Sequence, residues 1–314
     1  MTTDLEELLD LKGIGPKSAE ILTDNGFGNL HAIAAASARE LAGIKGISET
    51  IALSAIADAQ TKMDMGFVSG TEMEKRRLDI GFIRTPSESV NALMGGGIQT
   101  KSITEIHGKY ASGKTQFAHT LAVTVQRPIE EGGLDGDVAF IDTENTYRPK
   151  RLRQIAENLG MNADNVLARM HVARANTSDH QMMLVEQIKT LLAEGKPIKL
   201  IIVDSVMAHF RAEYTGRGTL AERQQRLGRH LHKLQKLADM YNLAIVITNQ
   251  VSANPASLFG GDVAIGGNIM AHAATYRIKL RHGKAGTRVA KLIDAPELEA
   301  GEAVFKLCET GIGD

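Results

Sequence analysis

The chain has 314 residues, of which 43% are hydrophobic and 23% charged, a composition that excludes a disordered or fibrous protein and allows a large core domain plus a small one. No apolar run approaches the roughly 18 residues of a membrane span, and the acidic start is unlike a signal peptide. A single cysteine, Cys308, also excludes an internal disulfide. From these three features together we expect a cytoplasmic protein with no membrane partner.

The formal net charge of −1 gives no general argument for a nucleic-acid partner. The charges are nevertheless uneven, since residues 1–64 carry five Lys or Arg against ten Asp or Glu, whereas residues 277–291 contain six basic residues and no acidic one. That basic run is either a solvated strand face or a surface that faces phosphates.

Residues 4–63 are typical of short helices separated by glycines, and the segments 11–19 and 44–52 form a weak internal repeat. Pro16 suits a first helical turn and Ser48 suits a helix cap. This layout resembles the helix-hairpin-helix motif, whose backbone N–H groups face a DNA phosphate without needing a basic surface. The alternative is that both copies only pack a small helical domain.

We divide the chain into an amino-terminal helical domain, 1–63, a linker, 64–78, and an α/β domain, 79–314. The linker contains an extended-looking stretch over residues 65–71. In the α/β domain, apolar runs without strict alternation predict buried parallel strands at 138–141, 200–203 and 243–248. Helical patterns lie near 115–127, 150–159, 178–194 and 219–241, and an antiparallel hairpin is predicted from 274–280 and 287–293.

The segment Gly108-Lys-Tyr-Ala-Ser-Gly-Lys-Thr115 has the spacing of a phosphate loop between a predicted strand and a helix. Glycines let the backbone turn its N–H groups toward a phosphate at a helix N-terminus. Lys114 is expected to reach the β- and γ-phosphates of ATP, and Thr115 to offer its hydroxyl to Mg²⁺. The expected nucleotide contacts are Gly108, Lys109, Tyr110, Ala111, Ser112, Gly113, Lys114, Thr115 and Gln116.

Polar residues at the ends of three other predicted strands complete a hydrolytic site. Asp204 suits a carboxylate that holds the metal through water, and Glu144 suits the group that orients the attacking water. The alternative for Glu144 is a cap for the following turn. The residue that senses the γ-phosphate is either Gln250 or its neighbour Asn249.

Two polar or glycine-rich segments, 210–219 and 252–268, follow these strand ends. The first leads into a helix that carries three arginines, and its own arginines and tyrosine suit a groove that tracks single-stranded nucleic acid. The alternative for each segment is an ordinary surface loop.

Several long motifs in the same order resemble the archaeal RadA recombinases and their eukaryotic counterparts, within the RecA/RadA family of ATP-dependent strand-exchange proteins. The resemblance covers nearly the whole chain. It rests on the sequences Gly113-Lys-Thr-Gln-Phe-Ala-His-Thr-Leu-Ala-Val123, Ile141-Asp-Thr-Glu-Asn-Thr-Tyr-Arg-Pro-Lys-Arg151, Tyr214-Thr-Gly-Arg-Gly218, Ile247-Thr-Asn-Gln-Val251 and Ile265-Gly-Gly-Asn-Ile-Met-Ala-His272.

The resemblance implies a RecA-like P-loop ATPase core with a mostly parallel central sheet, an α/β fold, joined to a small all-α helix-hairpin-helix domain. It also implies that Glu144 orients the hydrolytic water and that Gln250, rather than Asn249, senses the γ-phosphate, with His272 in the ATP-to-DNA relay. The implied DNA contacts are Arg211, Tyr214, Arg217 and Arg223 in the first loop and Gly266, Gly267 and Asn268 in the second, 252–268.

The same resemblance implies a nucleotide site shared between subunits. Adenine lies between Arg151 and a cap from the neighbouring subunit that contains Asp294 and Pro296. A linker motif tethers successive subunits, here Phe67-Val-Ser-Gly70 with glycine where alanine is usual. Losing that methyl costs at most about 1 kcal/mol of burial, so Phe67 remains the expected anchor.

The implied function is a DNA-dependent ATPase, associated with the nucleoid, that uses ATP and Mg²⁺ in homologous pairing and strand exchange during double-strand break repair. Its partners are single- and double-stranded DNA and further copies of itself, as helical filaments or as rings without DNA. A potassium ion near Asp294 is a further expectation. The alternatives are a hexameric helicase or other ring ATPase, and a regulatory paralogue that binds ATP without exchanging strands.

Overall fold

The structure is a computed structural model that describes residues 2–216, 218–253 and 262–314. The chain divides into two compact units, Met1–Asp79 with Lys189–Gly195, and Ile80–Ile188 with Lys196–Asp314. In the described part of the chain, no helix is long and apolar enough to cross a membrane.

The first unit contains short helices packed around an apolar core that includes Leu8, Leu22, Ile33 and Leu41. Pro16 opens one helix at its first turn, and the Ser48 hydroxyl caps another by accepting a hydrogen bond from the backbone N–H of Ile51 at 3.2 Å. Both positions were predicted from the sequence. The helices are α1 (Thr2–Leu9), α2 (Pro16–Asp24), α3 (Leu30–Ala34), α4 (Ala38–Ala42), α5 (Glu49–Lys62) and α6 (Gly70–Arg76), followed by a 3₁₀ turn, Arg77–Asp79.

The extended stretch expected over residues 65–71 ends earlier than predicted, because α6 begins at Gly70. Ser69 causes this start: its hydroxyl accepts a hydrogen bond from the backbone N–H of Glu72 at 3.1 Å and satisfies one free donor of the first turn. The prediction of extended backbone was therefore wrong at Gly70 and Thr71. Phe67 lies before the helix with a fully exposed side chain.

The second unit is built on a nine-stranded sheet. Its strands are β3 (Ser102–Gly108), β4 (Asp137–Asp142), β5 (Met170–Arg174), β6 (Ile198–Asp204), β7 (Ala244–Asn249), β10 (Tyr276–His282), β11 (Arg288–Asp294), β12 (Glu302–Cys308) and β13 (Gly311–Gly313). Their order across the sheet is β13-β12-β11-β10-β3-β7-β6-β4-β5. The six strands from β10 to β5 run parallel, and β11, β12 and β13 add antiparallel pairs at one edge. Two small sheets pair β1 (Phe82–Ile83) with β2 (Ile98–Gln99) and β8 (Val251–Ala253) with β9 (Asp262–Ala264).

Helices connect the parallel strands, as the alternating pattern predicts. They are α7 (Glu88–Leu93), α8 (Lys114–Thr124), α9 (Pro149–Asn158), α10 (Ala163–Ala168), α11 (Ser178–Ala193), α12 (Ala208–Glu213), α13 (Leu220–Tyr241) and α14 (Gly267–Ala273). Helix α8 is buried from Phe117 to Thr124 and packs in the main core with Phe140 and Phe305. This mostly parallel α/β core and the predicted antiparallel end are both confirmed.

The segment 210–219 differs from the loop predicted for it, because α12 continues to Glu213. Phe210 is fully buried with its ring centroid 5.9 Å from that of His230 on α13. The prediction weighed the polar residues that follow and missed this aromatic anchor. Residues 214–216, 218 and 219 lie outside the helices.

The fold brings four strand ends to one edge of the sheet. Strands β3, β7, β6 and β4 are adjacent and parallel, so the residues that follow their carboxyl ends lie side by side. The predicted phosphate loop follows β3, Glu144 follows β4, Gln250 follows β7, and Asp204 is the last residue of β6.

Candidate nucleotide-binding site

A cleft of about 830 Å³ opens at this edge of the sheet. The phosphate loop and the start of α8, residues 108–116, form one side, and Glu144, Thr146, Asp204 and Gln250 line the other. The structure therefore brings together the phosphate loop and the hydrolytic residues predicted from the sequence.

Backbone conformation explains the glycines of the loop. Gly113 has a φ of +107°, a left-handed conformation that side chains disfavour. A Cβ on Gly108 would lie 2.4 Å from the backbone oxygen of Leu280 on the neighbouring strand, which is too close for any other residue. Ala111, which departs from the commoner motif, has a φ of +59° and adopts a conformation that glycine would tolerate better.

Lys114 is held within the loop. Its Nζ donates to the backbone oxygens of Gly108 and Lys109, each at 3.0 Å. Burial lowers the pKa of Lys114, whereas the charges of Asp204 and Glu144 act in the opposite direction. A cation in this position is available to the phosphate groups of a nucleotide.

Asp204 and Thr115 form the part of the site suited to a metal. One carboxylate oxygen of Asp204 accepts from the hydroxyls of Thr115 and Thr146, each at 2.8 Å, and the other accepts from the hydroxyl of Thr248. Within the described residues, no group of three or more His, Cys, Asp or Glu side chains is placed to hold a metal. One hydroxyl and one carboxylate suit Mg²⁺, which takes few protein ligands and completes its shell with water and phosphate oxygens.

Asp142 stabilises the turn that carries Glu144. Its carboxylate accepts hydrogen bonds from the backbone N–H groups of Glu144 at 3.2 Å, Thr146 at 3.0 Å and Tyr147 at 3.2 Å. The capping role considered for Glu144 therefore belongs to Asp142. A strand-ending Asp before a polar turn is the signal that would have identified it.

Glu144 directs its side chain toward the ends of two other strands. Its Oε1 accepts from Nε2 of Gln250 at 2.8 Å and from the hydroxyl of Ser205 at 3.1 Å. Gln250 lines the cleft, whereas Asn249 is fully buried. The two candidate sensors thus occupy different environments, and only the Gln250 side chain faces the nucleotide cleft.

A cavity of about 180 Å³ adjoins the cleft and is shared by both predicted loops. Glu144, Gln250, Arg211 and Ile265 line it. The phosphate loop also contacts the second loop directly, since Nζ of Lys109 lies 3.0 Å from a carboxylate oxygen of Asp262. The candidate nucleotide cleft and the predicted DNA loops are therefore contiguous.

The other predicted DNA contacts are spread along these loops. Tyr214 is half-buried, with the Arg226 guanidinium carbon 5.6 Å from its ring centroid, and Arg223 is half-buried on α13. Gly266 and Gly267 have φ values of +108° and +60° where α14 begins. Asn268 and His272 are exposed on α14, whereas Arg217 and residues 254–261 of the second loop lie outside the described residues.

Three predicted nucleotide contacts do not line the cleft. Arg151 donates to Oε1 of Gln116 at 2.8 Å and to the backbone oxygen of Cys308 at 2.5 Å. Asp294 is the last residue of β11, and Pro296 lies two residues later. Neither is among the residues that line the cleft. The described contacts give no support for potassium near Asp294.

Sequence reasoning missed five residues that line the cleft, namely Thr146, Ser205, Val251, Arg288 and Leu307. Arg288 belongs to the basic run noted above, and its side chain donates to the backbone oxygens of Gly286 and Thr287, each at 3.0 Å. Ser205 lies outside every motif identified in the sequence, and Thr146 lies within the motif 141–151 without a spacing that marks it as part of the cleft. Long-range strand packing places both residues here.

Two family models match the chain. The Rad51 model matches residues 76–314, and the model of the SAM-like helix-hairpin-helix tandem matches residues 5–61. Over 320 aligned residues the sequence is 46% identical to the DNA repair and recombination protein RadA of Methanococcus voltae, covering 98% of this chain and 99% of that protein.

Proposed function

The chain belongs to the Rad51 family, and we propose that it is a DNA repair and recombination protein: an ATPase that assembles on single-stranded DNA and exchanges it with a homologous duplex. The observation that carries this proposal is the hydrogen bond between Glu144 and Gln250, which joins the ATP cleft to the segment leading into the second predicted DNA loop. Through this bond, nucleotide binding in the cleft can change the conformation of the loop that we propose binds DNA.

In this proposal, Lys114 moves from the carbonyls of Gly108 and Lys109 to the β- and γ-phosphates of ATP. Residues 108–116 bind the phosphates mainly through backbone N–H groups at the start of α8. Mg²⁺, when bound, neutralises phosphate charge and would be held by Thr115 directly and by Asp204 through water. These residues position the terminal phosphate for displacement.

Glu144 is the proposed group that orients the attacking water. Its carboxylate is exposed in the cleft, and the hydrogen bonds from Ser205 and Gln250 fix one oxygen. No described residue donates to the other oxygen, which can accept from water. The turn held by Asp142 keeps this side chain at the end of β4. Gln250 donates to the same carboxylate from the edge of the cleft. In this proposal it senses the γ-phosphate, because a phosphate that reaches Glu144 also reaches Gln250.

For DNA we propose Arg211, Tyr214, Arg217 and Arg223 in the first loop and Gly266, Gly267 and Asn268 in the second. Arginines near the cleft suit the phosphates of single-stranded DNA, and the glycines allow the backbone to approach it closely. The cavity shared by Arg211, Gln250 and Ile265 supports this assignment. His272, exposed on α14, is proposed as part of the ATP-to-DNA relay.

For assembly we propose three parts: a helix-hairpin-helix domain, 1–63, a linker with the polymerisation motif, 64–78, and the ATPase core, 79–314. Phe67 and Gly70 dock on the next subunit, and full exposure of the Phe67 ring supports that role. Asp294 and Pro296 cover adenine bound beside Arg151 of the neighbouring subunit. ATP then stabilises the helical filament, because it binds only where two subunits meet.

The test combines ATP hydrolysis with electron microscopy. We expect hydrolysis that single-stranded DNA stimulates, and helical filaments with ATP, Mg²⁺ and DNA. Closed rings alone in the presence of DNA would favour a ring helicase. ATP binding without DNA-stimulated hydrolysis or strand exchange would favour a regulatory paralogue.

A further inference from the structure

A carboxylate lies at the centre of the large sheet. Glu105 on β3 is 0% exposed and is flanked by β10 on one side and β7 on the other. Its Oε2 accepts from Nε of Arg277 at 2.7 Å and lies 3.5 Å from Nδ1 of His107. Its Oε1 accepts from Nδ2 of Asn249 at 2.7 Å.

Glu105 remains a hydrogen-bond acceptor in this buried environment. Burial raises the pKa of its carboxyl, but the nearby His107 imidazole and the hydrogen bonds from Asn249 and Arg277 outweigh it and hold that pKa below its ordinary value. A charged acceptor in the sheet interior forms strong hydrogen bonds, and it fixes which way the Asn249 amide faces.

The Asn249 amide makes two further contacts, one with Ile265 of the second loop and one with the neighbouring Gln250. Its Nδ2 also donates to the backbone oxygen of Ile265 at 2.6 Å, and its Oδ1 accepts from the backbone N–H of Gln250 at 2.8 Å. The backbone N–H of Ile265 in turn donates to the oxygen of Gln250 at 3.0 Å. These bonds close the base of the β8–β9 hairpin, one residue before Gly266.

We propose that Asn249, oriented by Glu105, is a positioning residue that closes the base of the second DNA loop and holds Gln250 toward Glu144. The residue at 249 thus couples the loop to the ATP cleft without touching nucleotide or DNA. This inference rests on the proposed function for its coupling role, and on the contacts of Asn249 alone for its structural part.

A purely structural role in the sheet is the alternative, and the geometry separates the two. The Glu105–Asn249 bond joins two strands of the sheet, whereas the bond from Asn249 to Ile265 reaches the loop. A variant that keeps the first and removes the second tests coupling independently of sheet stability.

The double variant Glu105→Gln with Asn249→Asp has this property. The new amide at position 105 donates to the new carboxylate at 249, and its oxygen still accepts from Arg277. The negative charge moves from position 105 to position 249, so the cluster keeps its net charge. The carboxylate at 249 still accepts from the Gln250 N–H, but it cannot donate to the Ile265 oxygen as the amide of Asn249 does. The single variant Asn249→Asp is the comparison, since it places two carboxylates together.

The experiment measures three quantities on the full chain: melting temperature, amide hydrogen exchange of residues 262–266, and the ratio of ATP hydrolysis with and without single-stranded DNA. We expect Asn249→Asp to lower the melting temperature and the double variant to recover most of it. In the double variant, exchange should stay at least about tenfold faster than in wild type, and the DNA-stimulated ratio should fall toward one.

Recovery of all three quantities in the double variant would overturn the proposal, because the bond to Ile265 would then be dispensable. Normal exchange at 262–266 in either variant would overturn it too. If single-stranded DNA does not stimulate ATP hydrolysis by the wild-type chain, both the proposed function and the coupling role are wrong. Faster hydrogen exchange of residues 262–266 in the double variant would still show that Asn249 holds the base of the loop.

Discussion

Nε2 of Gln250 donates to Oε1 of Glu144 at 2.8 Å, although 106 positions separate the two residues in the sequence. Each follows the end of its own parallel strand, and β6 lies between those strands in the sheet. A nucleotide phosphate entering the cleft would reach both side chains, so a change at either one is expected to alter hydrolysis and DNA response together.

Replacing Glu144 by Gln removes the carboxylate but retains an oxygen that accepts from Gln250 and Ser205. We expect the rate of ATP hydrolysis to fall by at least about 100-fold because the general base is lost. Phosphate release in the presence of single-stranded DNA measures the rate, and titration with a fluorescent nucleotide is the control for binding. Near-normal hydrolysis with intact binding would rule out Glu144 as the group that orients water.

Replacing Thr115 by Ala removes the hydroxyl that bonds to Asp204 and is proposed to contact Mg²⁺. The Mg²⁺ concentration needed for half-maximal hydrolysis should rise by at least about tenfold. Thr115→Ser restores the hydroxyl and is the matched control. An unchanged Mg²⁺ requirement in the alanine variant would place the metal elsewhere.

The sequence predicted the site best where a local pattern determines the structure. The phosphate loop needs Gly113 at positive φ directly before α8, and the buried strands before Asp142 and Asp204 are continuous apolar runs. The order of the parallel strands then places these ends together. The mostly parallel core followed from such patterns and from the family resemblance.

Features that depend on distant packing were not predictable. Asn249 and Gln250 are chemically similar neighbours, and only the register of β7 decides that one is buried and the other exposed. The burial of Phe210 depends on His230 twenty positions later, and a short edge strand, Met170–Arg174, has too few apolar residues for recognition. Residues such as Ser205 join the site through contacts that no spacing rule describes.

Acid stability depends on a buried histidine on α8. Burial lowers the pKa of His119 to about 4, and among the described residues neither of its ring nitrogens has a hydrogen-bond partner. The unfolded chain binds this proton near pH 6.5. Stability from the neutral ring is therefore complete above that pH and is lost as pH falls toward about 4, by about 3 kcal/mol.

Replacing His119 by Phe should remove this loss, because the ring lies against Phe140 and Tyr147 and a phenyl ring does not titrate. Denaturant unfolding at pH 7 and pH 4 measures the difference in free energy of unfolding, which should shrink by about 3 kcal/mol in the variant. His230 is also buried, with a pKa lowered to about 4, and is present in both proteins. Its contribution to the pH dependence is therefore the same in wild type and variant and cancels in the comparison. Equal pH dependence in both proteins would contradict the assignment.

Filament assembly should depend on the exposed ring of Phe67. Phe67→Ala removes apolar area worth about 1.5–3 kcal/mol when buried against another subunit, so the assembly constant should fall at least about tenfold. Light scattering against protein concentration measures it. Leu53→Ala, at an exposed apolar side chain of α5 in the same unit but outside the linker, is the matched control and should assemble normally.

Gly70→Ala is expected to act in the opposite direction. No atom lies within 4 Å of a Cβ at this position, and alanine favours the first turn of α6. Assembly should strengthen by up to about 1 kcal/mol. Weaker assembly would mean that the interface requires glycine here.

The most direct test of the central claim is strand exchange between single-stranded DNA and a homologous duplex, with ATP and Mg²⁺. Wild type should pair the homologous strands, Lys114→Ala should pair none because it cannot hold ATP, and Glu144→Gln should pair strands without hydrolysing ATP. Failure of the wild-type chain to pair homologous DNA under these conditions, while it binds ATP, would contradict the account.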